Sequence, residues 1–203
     1  MCPAKPLPLP AHDGTSIGIG KWLRQTLPPP VTQDAPAHRR AAVLILLFDR
    51  DGHAHTLLTR RTDTLTHHPG QISLPGGRHD ADDADLTETA LREAFEELGI
   101  DPSTVEVVGR LDDVHTMASD FVVAPIIGVT DGPIDPLPNP DEIARVFEVP
   151  LVELISADRA LGPTATGRAL RYALSGEDVW GATARILRAL VAATEPAAGS
   201  SAA

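Results

Sequence analysis

Three glutamates lie close together in the stretch LREAFEELGI, Leu91 to Ile100. On a helix turning 100° per residue, Glu93, Glu96 and Glu97 fall within one arc of about 100°, beside an apolar stripe. Like charges at this spacing cost roughly 0.2–0.5 kcal/mol per pair, and acids in a last helical turn also oppose the helix dipole. One interpretation is that the three glutamates simply form a solvated face of the helix. A bound cation would offset the repulsion, and carboxylate oxygens suit Mg²⁺ or Mn²⁺, so the cluster predicts a metal site.

The helix that carries these glutamates is predicted to run from Leu86 to Leu98. Asp85, with Glu88 three residues later, is predicted to cap its start as a variant of the capping box. Gly99 suits the left-handed conformation that commonly ends a helix. The three glutamates would therefore occupy its second half, next to the C-terminus.

The remaining patterns predict an α/β protein with a mixed sheet packed between helices. Strands are predicted over 41–48, 53–61, 105–116, 121–130 and 168–174. The first two are expected to form a hairpin across a DRDG turn. Helices are predicted over 141–147, 151–156 and 180–194. Tyr172 and Trp180 are expected to lie in the core, and a role as stacking platforms is the alternative.

The length of 203 residues suits one domain with tails. We expect a proline-rich N-terminal arm over 1–38, the domain itself over 39–195, and a disordered tail over 196–203. Within the arm, the stretch IGKWLRQTL is predicted to form a short helix that docks on the domain.

Charge and composition exclude several classes of protein. The formal net charge of −11, without a basic block, argues against a general nucleic-acid binder. The single cysteine, Cys2, excludes an internal disulfide framework and a cysteine-based zinc site. The chain has neither an apolar run long enough for a membrane span nor the apolar core of a signal peptide. A cytoplasmic protein without a membrane partner is therefore expected.

The glutamate helix and the loop before it form the segment GGRHDADDADLTETALREAFEELGI. Its end, REAFEELGI from Arg92, matches the REUxEExGU half of the Nudix box, in which U is an aliphatic residue. The chain thus resembles the Nudix hydrolases. In the first half, the box expects Gly, five residues, Glu, seven residues and Arg. Here the sixth residue after Gly77 is Asp83, and eight residues separate it from Arg92.

This resemblance implies an α/β/α sandwich whose glutamates bind Mg²⁺ or Mn²⁺ and present it to a nucleoside-diphosphate derivative. Glu93 and Glu97 are expected as direct metal ligands, with Glu96 as a ligand or a water-mediated partner. Arg92 is expected to orient these glutamates through charge-assisted hydrogen bonds.

A general base is also expected near the glutamate helix. Glu142, in the stretch NPDE, is one candidate, and Glu93 and Glu96 are alternatives. Glu148 is expected to serve the structure, although it competes with Glu142 as a distal acid.

A second resemblance covers Leu57 to Gly77, the stretch LLTRRTDTLTHHPGQISLPGG, which is similar to the signature of coenzyme A-type Nudix pyrophosphatases. Three positions depart from that signature: Thr62 stands for Ser or Ala, Thr66 for Arg, and Leu74 for Phe. The resemblance implies a set of substrate-binding residues: Arg61, His68, Gly70, Gly76 and Gly77. A surface salt bridge is the alternative for Arg61, and a surface position is the alternative for the histidine.

The expected function is a metal-dependent diphosphatase that cleaves coenzyme A or an acyl-CoA to 3′,5′-ADP and a 4′-phosphopantetheine product. One alternative is cleavage of NADH, ADP-ribose or another nucleoside diphosphate derivative. The other is a Nudix module that binds a nucleotide without cleaving it. The expected partner is a nucleotide-type small molecule, and a homodimer is expected from family habit.

Overall fold

The computed structural model of the chain describes residues 14–33, 35–64, 69–117 and 119–194. The predicted tail, 196–203, and residues 1–13 and 34 of the predicted arm lie outside these ranges. The described helices are α1 (Ser16–Thr26), α2 (Leu86–Leu98), α3 (Leu151–Leu161) and α4 (Gly181–Thr194). The strands are β1 (Arg40–Arg50), β2 (His53–Arg61), β3 (Ile72–Ser73), β4 (Gly76–Arg78), β5 (Glu106–Arg110), β6 (Val114–His115), β7 (Val122–Val129), β8 (Ile143–Pro150), β9 (Arg171–Leu174) and β10 (Glu177–Trp180).

Strand β1 lies in the middle of a mixed sheet. It pairs in parallel with β7, antiparallel with β2 near its C-terminal end, and antiparallel with β4 near its start. Its apolar run is buried on both faces of the sheet, as a continuous run without alternation indicates. The predicted hairpin with β2 is confirmed, with Arg50 opposite His53.

Among the described residues, two apolar cores lie between the sheet and the helices on either side of it. On one face, Ala90, Ala94 and Leu98 of α2 pack against residues of β1 that include Leu44 and Leu46. On the other face, helices α1, α3 and α4 pack against the alternate residues of the sheet. The predicted α/β sandwich, with a mixed sheet between helices, is confirmed.

The predicted docking helix is present as α1. Its Ile19 and Leu23 are fully buried in the larger core. The helix approaches the sheet closely at Gly20, where a Cβ atom would lie 2.6 Å from a methyl group of Val129. Although α1 falls within the predicted arm, it packs as an integral layer of the domain.

The predicted helix over 141–147 is wrong, because this segment begins strand β8. Strand β8 pairs antiparallel with β2 from His55 opposite Pro150 to Arg61 opposite Ile143. Ile143, Val146 and Phe147 have helical spacing, but this register with β2 satisfies the backbone in a sheet instead. Helix α3 starts directly after the strand and extends the predicted helix to Leu161.

The other predicted elements are confirmed with changed limits. The strand expected over 105–116 is divided into β5 and β6, and the late strand shortens to β9 with β10 as its unpredicted hairpin partner. Tyr172 is buried, as expected, but Trp180 is wrong as a core residue because it is 47% exposed. Within the described ranges, no helix combines the length and apolarity that crossing a membrane requires.

Candidate active site

Helix α2 has the capped N-terminus that its sequence predicts. Asp85 Oδ1 accepts hydrogen bonds from the backbone N–H groups of Thr87 and Glu88 at 2.7 and 2.9 Å. The Glu88 carboxylate accepts from the N–H of Ala84 rather than from that of the cap residue, which is a variant of the reciprocal box. Gly99 ends the helix in the left-handed conformation, with φ of 67°.

The acidic C-terminus of α2 is covered by the loop before β8. The N–H of Leu137 donates to the carbonyl of Leu98 at 2.7 Å, and the N–H of Asn139 donates to the carbonyl of Glu97 at 2.8 Å. The Asn139 carbonyl in turn accepts from the N–H of Glu142 at 3.1 Å. This asparagine, which sequence reasoning did not single out, holds Glu142 at the end of the glutamate helix.

Arg92 is the central hydrogen-bond donor of the carboxylate cluster, which is formed by Glu93, Glu96 and Glu97. Its Nη1 donates to Glu93 Oε1 and to Glu96 Oε2, each at 3.0 Å. Its Nη2 donates to the backbone carbonyl of Arg78 at 3.1 Å. The remaining donors bind Asp83, so one guanidinium connects three carboxylates and strand β4.

Asp83, the acid in the lengthened loop, belongs to the support of this cluster. Its buried carboxylate accepts from the guanidinium of Arg92, from the Thr89 hydroxyl at 2.8 Å and from the N–H of Asp80 at 2.9 Å. The hydrogen bonds from Arg92 hold the pKa of Asp83 well below its usual range. The same pair raises the pKa of Arg92. Asp83 is therefore an ionised carboxylate whose oxygens are already engaged.

Glu97 is the most buried carboxylate of the cluster, with its side chain 3% exposed. Its Oε2 accepts from the N–H of Gly76 at 3.1 Å, and its Oε1 lies 3.5 Å from Nη1 of Arg61. Burial raises its pKa to about 8 against the effect of these two donors.

The pKa of Glu93 is also raised, again chiefly by burial and against its hydrogen bond from Arg92. The negative charge of Glu142 contributes to the raised pKa of both Glu93 and Glu97. The charge of Glu142, the predicted base candidate, therefore acts on both predicted ligands.

Two glycines of β4 bring the backbone against the cluster. A Cβ atom on Gly77 would lie about 2.5 Å from both carboxylate oxygens of Glu93. Gly76 has φ of 152°, and a Cβ atom there would lie 2.6 Å from Cα of Val43 on β1. Gly77 thus leaves room for a carboxylate, whereas Gly76 leaves room for the neighbouring strand.

The remaining predicted site residues lie in different parts of the structure, and one of them reaches the carboxylate cluster. Arg61 extends from β2 to Glu97, on the same face as the cluster. Glu148 is held by the guanidinium of Arg50, which fits its expected structural role. Gly70 lines a different cavity, beside Arg60, so the structure does not bring it to the glutamates. His68 lies outside the described residues.

The donor set fits a divalent cation. All of its side chains are carboxylates, the hard oxygen donors that Mg²⁺ and Mn²⁺ prefer, and Glu93 and Glu97 are one helical turn apart. Arg92 engages only one oxygen each of Glu93 and Glu96. Among the described residues, no three acidic, histidine or cysteine side chains form a complete ligand set. One or two carboxylates are enough for Mg²⁺, which keeps several waters and shares substrate phosphates.

Comparison with known sequences assigns the chain to a family. The sequence model of the NUDIX domain matches residues 38–169, well over half of the chain. The chain belongs to the Nudix family. It is 42% identical over 158 residues to the uncharacterised Nudix hydrolase NudL of Yersinia pestis (strain Pestoides F), covering 75% of this chain and 78% of that protein. NudL of Yersinia pseudotuberculosis serotype O:1b (strain IP 31758) matches to the same extent.

Solved structures show the same fold at low sequence identity. The Nudix hydrolase from Alicyclobacillus acidocaldarius aligns with a TM-score of 0.51 at 19% identity, covering 77% of this chain and 92% of that one. The DR0079 protein from Deinococcus radiodurans aligns with a TM-score of 0.50 at 19% identity, covering 77% and 87%. Nudix hydrolases cleave pyrophosphate bonds and generally use divalent metal ions, so this member of the family is a hydrolase of that class.

Proposed function

We propose that the chain is a Mg²⁺- or Mn²⁺-dependent diphosphatase that hydrolyses coenzyme A or an acyl-CoA to 3′,5′-ADP and a 4′-phosphopantetheine product. The observation that carries the proposal is the buried carboxylate of Glu97 beside Glu93 and Arg61. Burying this negative charge is unfavourable, and burial raises the pKa of Glu97 although the guanidinium of Arg61 lies beside it. A diphosphate and its divalent cation supply the matching charges.

Glu93 and Glu97 are the proposed direct ligands of the ion, and Glu96 is a ligand or a water-mediated partner. When bound, the cation supplies charge stabilisation of a phosphoryl oxygen and a lowered pKa for its water. Arg92 holds one oxygen each of Glu93 and Glu96, which limits the rotamers of both side chains. The support from Asp83 fixes Arg92 in turn.

Glu142 is the proposed general base for the attacking water. It is held at the end of α2 by the carbonyl of Asn139 and lies close enough to raise the pKa of both proposed ligands. Glu93 and Glu96 are the alternatives. Arg61 is a proposed phosphate contact, because its guanidinium lies 3.5 Å from Glu97 at the site where the diphosphate would meet the cation.

Coenzyme A is proposed as substrate because residues 57–77 match its subgroup signature at most positions. The departure at Thr66 favours a second candidate within the same chemistry, cleavage of NADH, ADP-ribose or a related nucleoside diphosphate derivative. We further propose that the protein is a cytoplasmic homodimer. The hydrolase domain of 39–195 extends beyond the matched residues because α4 packs into the larger core, and α1 adds to it from the N-terminal side because Ile19 and Leu23 lie in the same core.

The test is a turnover screen with coenzyme A, NADH, ADP-ribose and a nucleoside triphosphate, with Mg²⁺ or Mn²⁺ and with products resolved by mass. We expect 3′,5′-ADP to form fastest from coenzyme A, and EDTA to abolish the reaction. Faster cleavage of another substrate would replace coenzyme A and retain the diphosphatase. Absence of turnover with either metal would overturn the proposed activity.

A further inference from the structure

A cavity of about 370 Å³ lies on the face of the sheet opposite to α2. Its wall includes Arg60, whose register partner on β3 is Ile72, a member of the core on the α1, α3 and α4 side. The next residue, Arg61, points to Glu97 on α2 because side chains alternate along a strand. Strand β2 therefore separates this cavity from the glutamates, and its volume lies in the lower part of the range of about 300–1,000 Å³ for small-molecule sites.

Trp180 gives this cavity a flat aromatic surface. The side chain ends β10 and is 47% exposed, although a tryptophan normally gains most from burial. The guanidinium carbon of Arg171, its register partner on β9, lies 5.9 Å from the indole centroid. This cation–π contact fixes the ring while much of its surface stays accessible, so a second flat ring can stack on it.

Two polar side chains beside Trp180 have unused hydrogen-bonding groups. Within the described ranges, the side-chain amide of Gln71 makes no hydrogen bond, and the charged partner of Arg60 is Asp63 at 4.0 Å. A glutamine amide offers one donor and one acceptor side by side, the pair that matches the N6 and N7 atoms of adenine. A guanidinium with so distant a partner is available to a phosphate.

The acidic residues in the wall do not oppose an anion there. Glu177 accepts from Nη1 of Arg145 at 3.0 Å, and Asp178 is paired with Arg171. Their charges are therefore balanced locally, although the chain as a whole carries −11. Among the described residues that line the cavity, Arg60 remains as the cation without a close partner.

We propose that this cavity is a second ligand site, separate from the carboxylate cluster, for an adenine mononucleotide. The base stacks on Trp180, its edge binds the amide of Gln71, and its phosphate pairs with Arg60. Binding requires no divalent cation, because none of these contacts uses a metal.

The test uses 5′-AMP, which has no diphosphate bond to cleave, and EDTA-treated protein. The chain has two tryptophans, so a Trp22→Phe variant leaves Trp180 as the reporter. We expect saturable quenching of its fluorescence by 5′-AMP. Gln71→Ala and Arg60→Ala should each weaken binding at least about tenfold, which corresponds to about 1.4 kcal/mol. Gln25→Ala, an exposed glutamine on α1, is the matched control.

Further probes separate the parts of the ligand. Adenosine should bind more weakly than 5′-AMP with the same dependence on Gln71, and inorganic phosphate alone should leave the fluorescence unchanged. In the otherwise unaltered chain, Trp180→Phe should remove the quenching. Glu97→Gln should leave the affinity for 5′-AMP unchanged, whatever it does to turnover.

Three results would overturn the proposal. The first is quenching that does not saturate at millimolar 5′-AMP. The second is an affinity of Gln71→Ala and Arg60→Ala equal to that of the protein in which both residues are intact. The third is loss of binding in Glu97→Gln. The last result would move the nucleotide to the carboxylate cluster. Because turnover is not measured, failure here is distinct from failure of the proposed diphosphatase activity.

Discussion

Arg92 binds Asp83 through two parallel hydrogen bonds, from Nε to Oδ1 at 2.8 Å and from Nη2 to Oδ2 at 3.0 Å. The aspartate comes from a loop one residue longer than the Nudix box expects, yet its carboxylate reaches the arginine of the box. It is therefore a positioning residue rather than an available metal ligand.

Asp83→Asn should destabilise the fold and weaken catalysis together. Asparagine cannot replace the carboxylate that binds Arg92 through two hydrogen bonds, although Glu93 and Glu96 still balance part of the arginine's charge. We therefore expect a loss of roughly 1–3 kcal/mol in the free energy of unfolding. Turnover should fall because Arg92 no longer has a fixed orientation toward Glu93 and Glu96. Urea unfolding and steady-state kinetics measure the two effects.

The control for this variant is Asp82→Asn, which changes an exposed neighbour in the same loop.

The low pKa of Asp83 in the folded chain also predicts how its contribution to stability changes with pH. Its stabilising contribution is complete above its unfolded pKa of about 3.9 and is lost as pH falls toward the folded value. Equal acid sensitivity of Asp83→Asn and the unaltered chain would contradict this role.

Adjacent glycines should respond differently to alanine. At Gly77 the atoms nearest to the added methyl group are those of the Glu93 carboxylate, the end of a flexible side chain that can rotate away. We expect the free energy of unfolding to change by less than about 1 kcal/mol, while the displaced Glu93 weakens metal affinity and turnover. Isothermal titration with Mn²⁺ and urea unfolding separate the two effects.

Gly76→Ala provides the contrast, because its methyl group meets the backbone of β1 and φ is positive. Destabilisation by roughly 2–4 kcal/mol is expected from this clash and strain. If Gly77→Ala lost as much stability as Gly76→Ala, the close approach of Glu93 to β4 would be wrong.

The buried Glu97 predicts how metal-free protein responds to pH. Its pKa of about 8 in the folded chain exceeds the unfolded value of about 4.3, so the folded state binds the proton more tightly. The contribution of Glu97 to stability is complete below about pH 4.3 and is lost as pH rises through about 8. In EDTA, Glu97→Gln should therefore be more stable than the unaltered chain at pH 8.5, by on the order of 2 kcal/mol, but not at pH 4.

Divalent cations should reverse this order at high pH. If Glu97 is a ligand, Mg²⁺ or Mn²⁺ stabilises the ionised carboxylate in the folded state and leaves Glu97→Gln largely unaffected. Thermal unfolding with and without the metal at pH 8.5 measures the difference. Equal stabilisation of both proteins would count against Glu97 as a ligand.

The sequence predicted those parts of the site that depend on local spacing. Glu93, Glu96 and Glu97 share a helix face, and Asp85 and Gly99 mark its ends, because each of these features is set within a few residues. Whether Asp83 supports Arg92 or a metal could not follow from counting residues, since it depends on how the loop folds back. Asn139 was missed for the same reason, as its partners are backbone groups on α2.

Pairing between segments that are distant in the sequence explains why two structural predictions are wrong. The stretch that became the start of β8 has apolar residues at both helical and strand spacing, and only its register with β2 decides between them. Trp180 was expected in the core, but it lies at the end of the hairpin of β9 and β10 with 47% of its surface exposed. These outcomes depend on tertiary contacts that no local pattern contains.

Glu142 and Glu148 offer a matched pair for identifying the general base. Glu142→Gln should lower kcat by roughly 10²–10⁴-fold, the usual contribution of a general base, and remove the acidic limb of the pH–rate profile. Folding should remain intact, because the segment is held through backbone bonds of Asn139 rather than through this side chain.

Glu148→Gln should show the opposite pattern. It weakens the ion pair with Arg50, whose side chains are each about one-third exposed, so we expect a loss of about 1 kcal/mol in stability with unchanged kcat. Unaltered turnover and pH profile in Glu142→Gln would transfer the role to Glu93 or Glu96. Because Glu142 also raises the pKa of Glu97, its removal should lower that pKa even if another residue is the base, and the pH dependence of metal-free stability measures this shift.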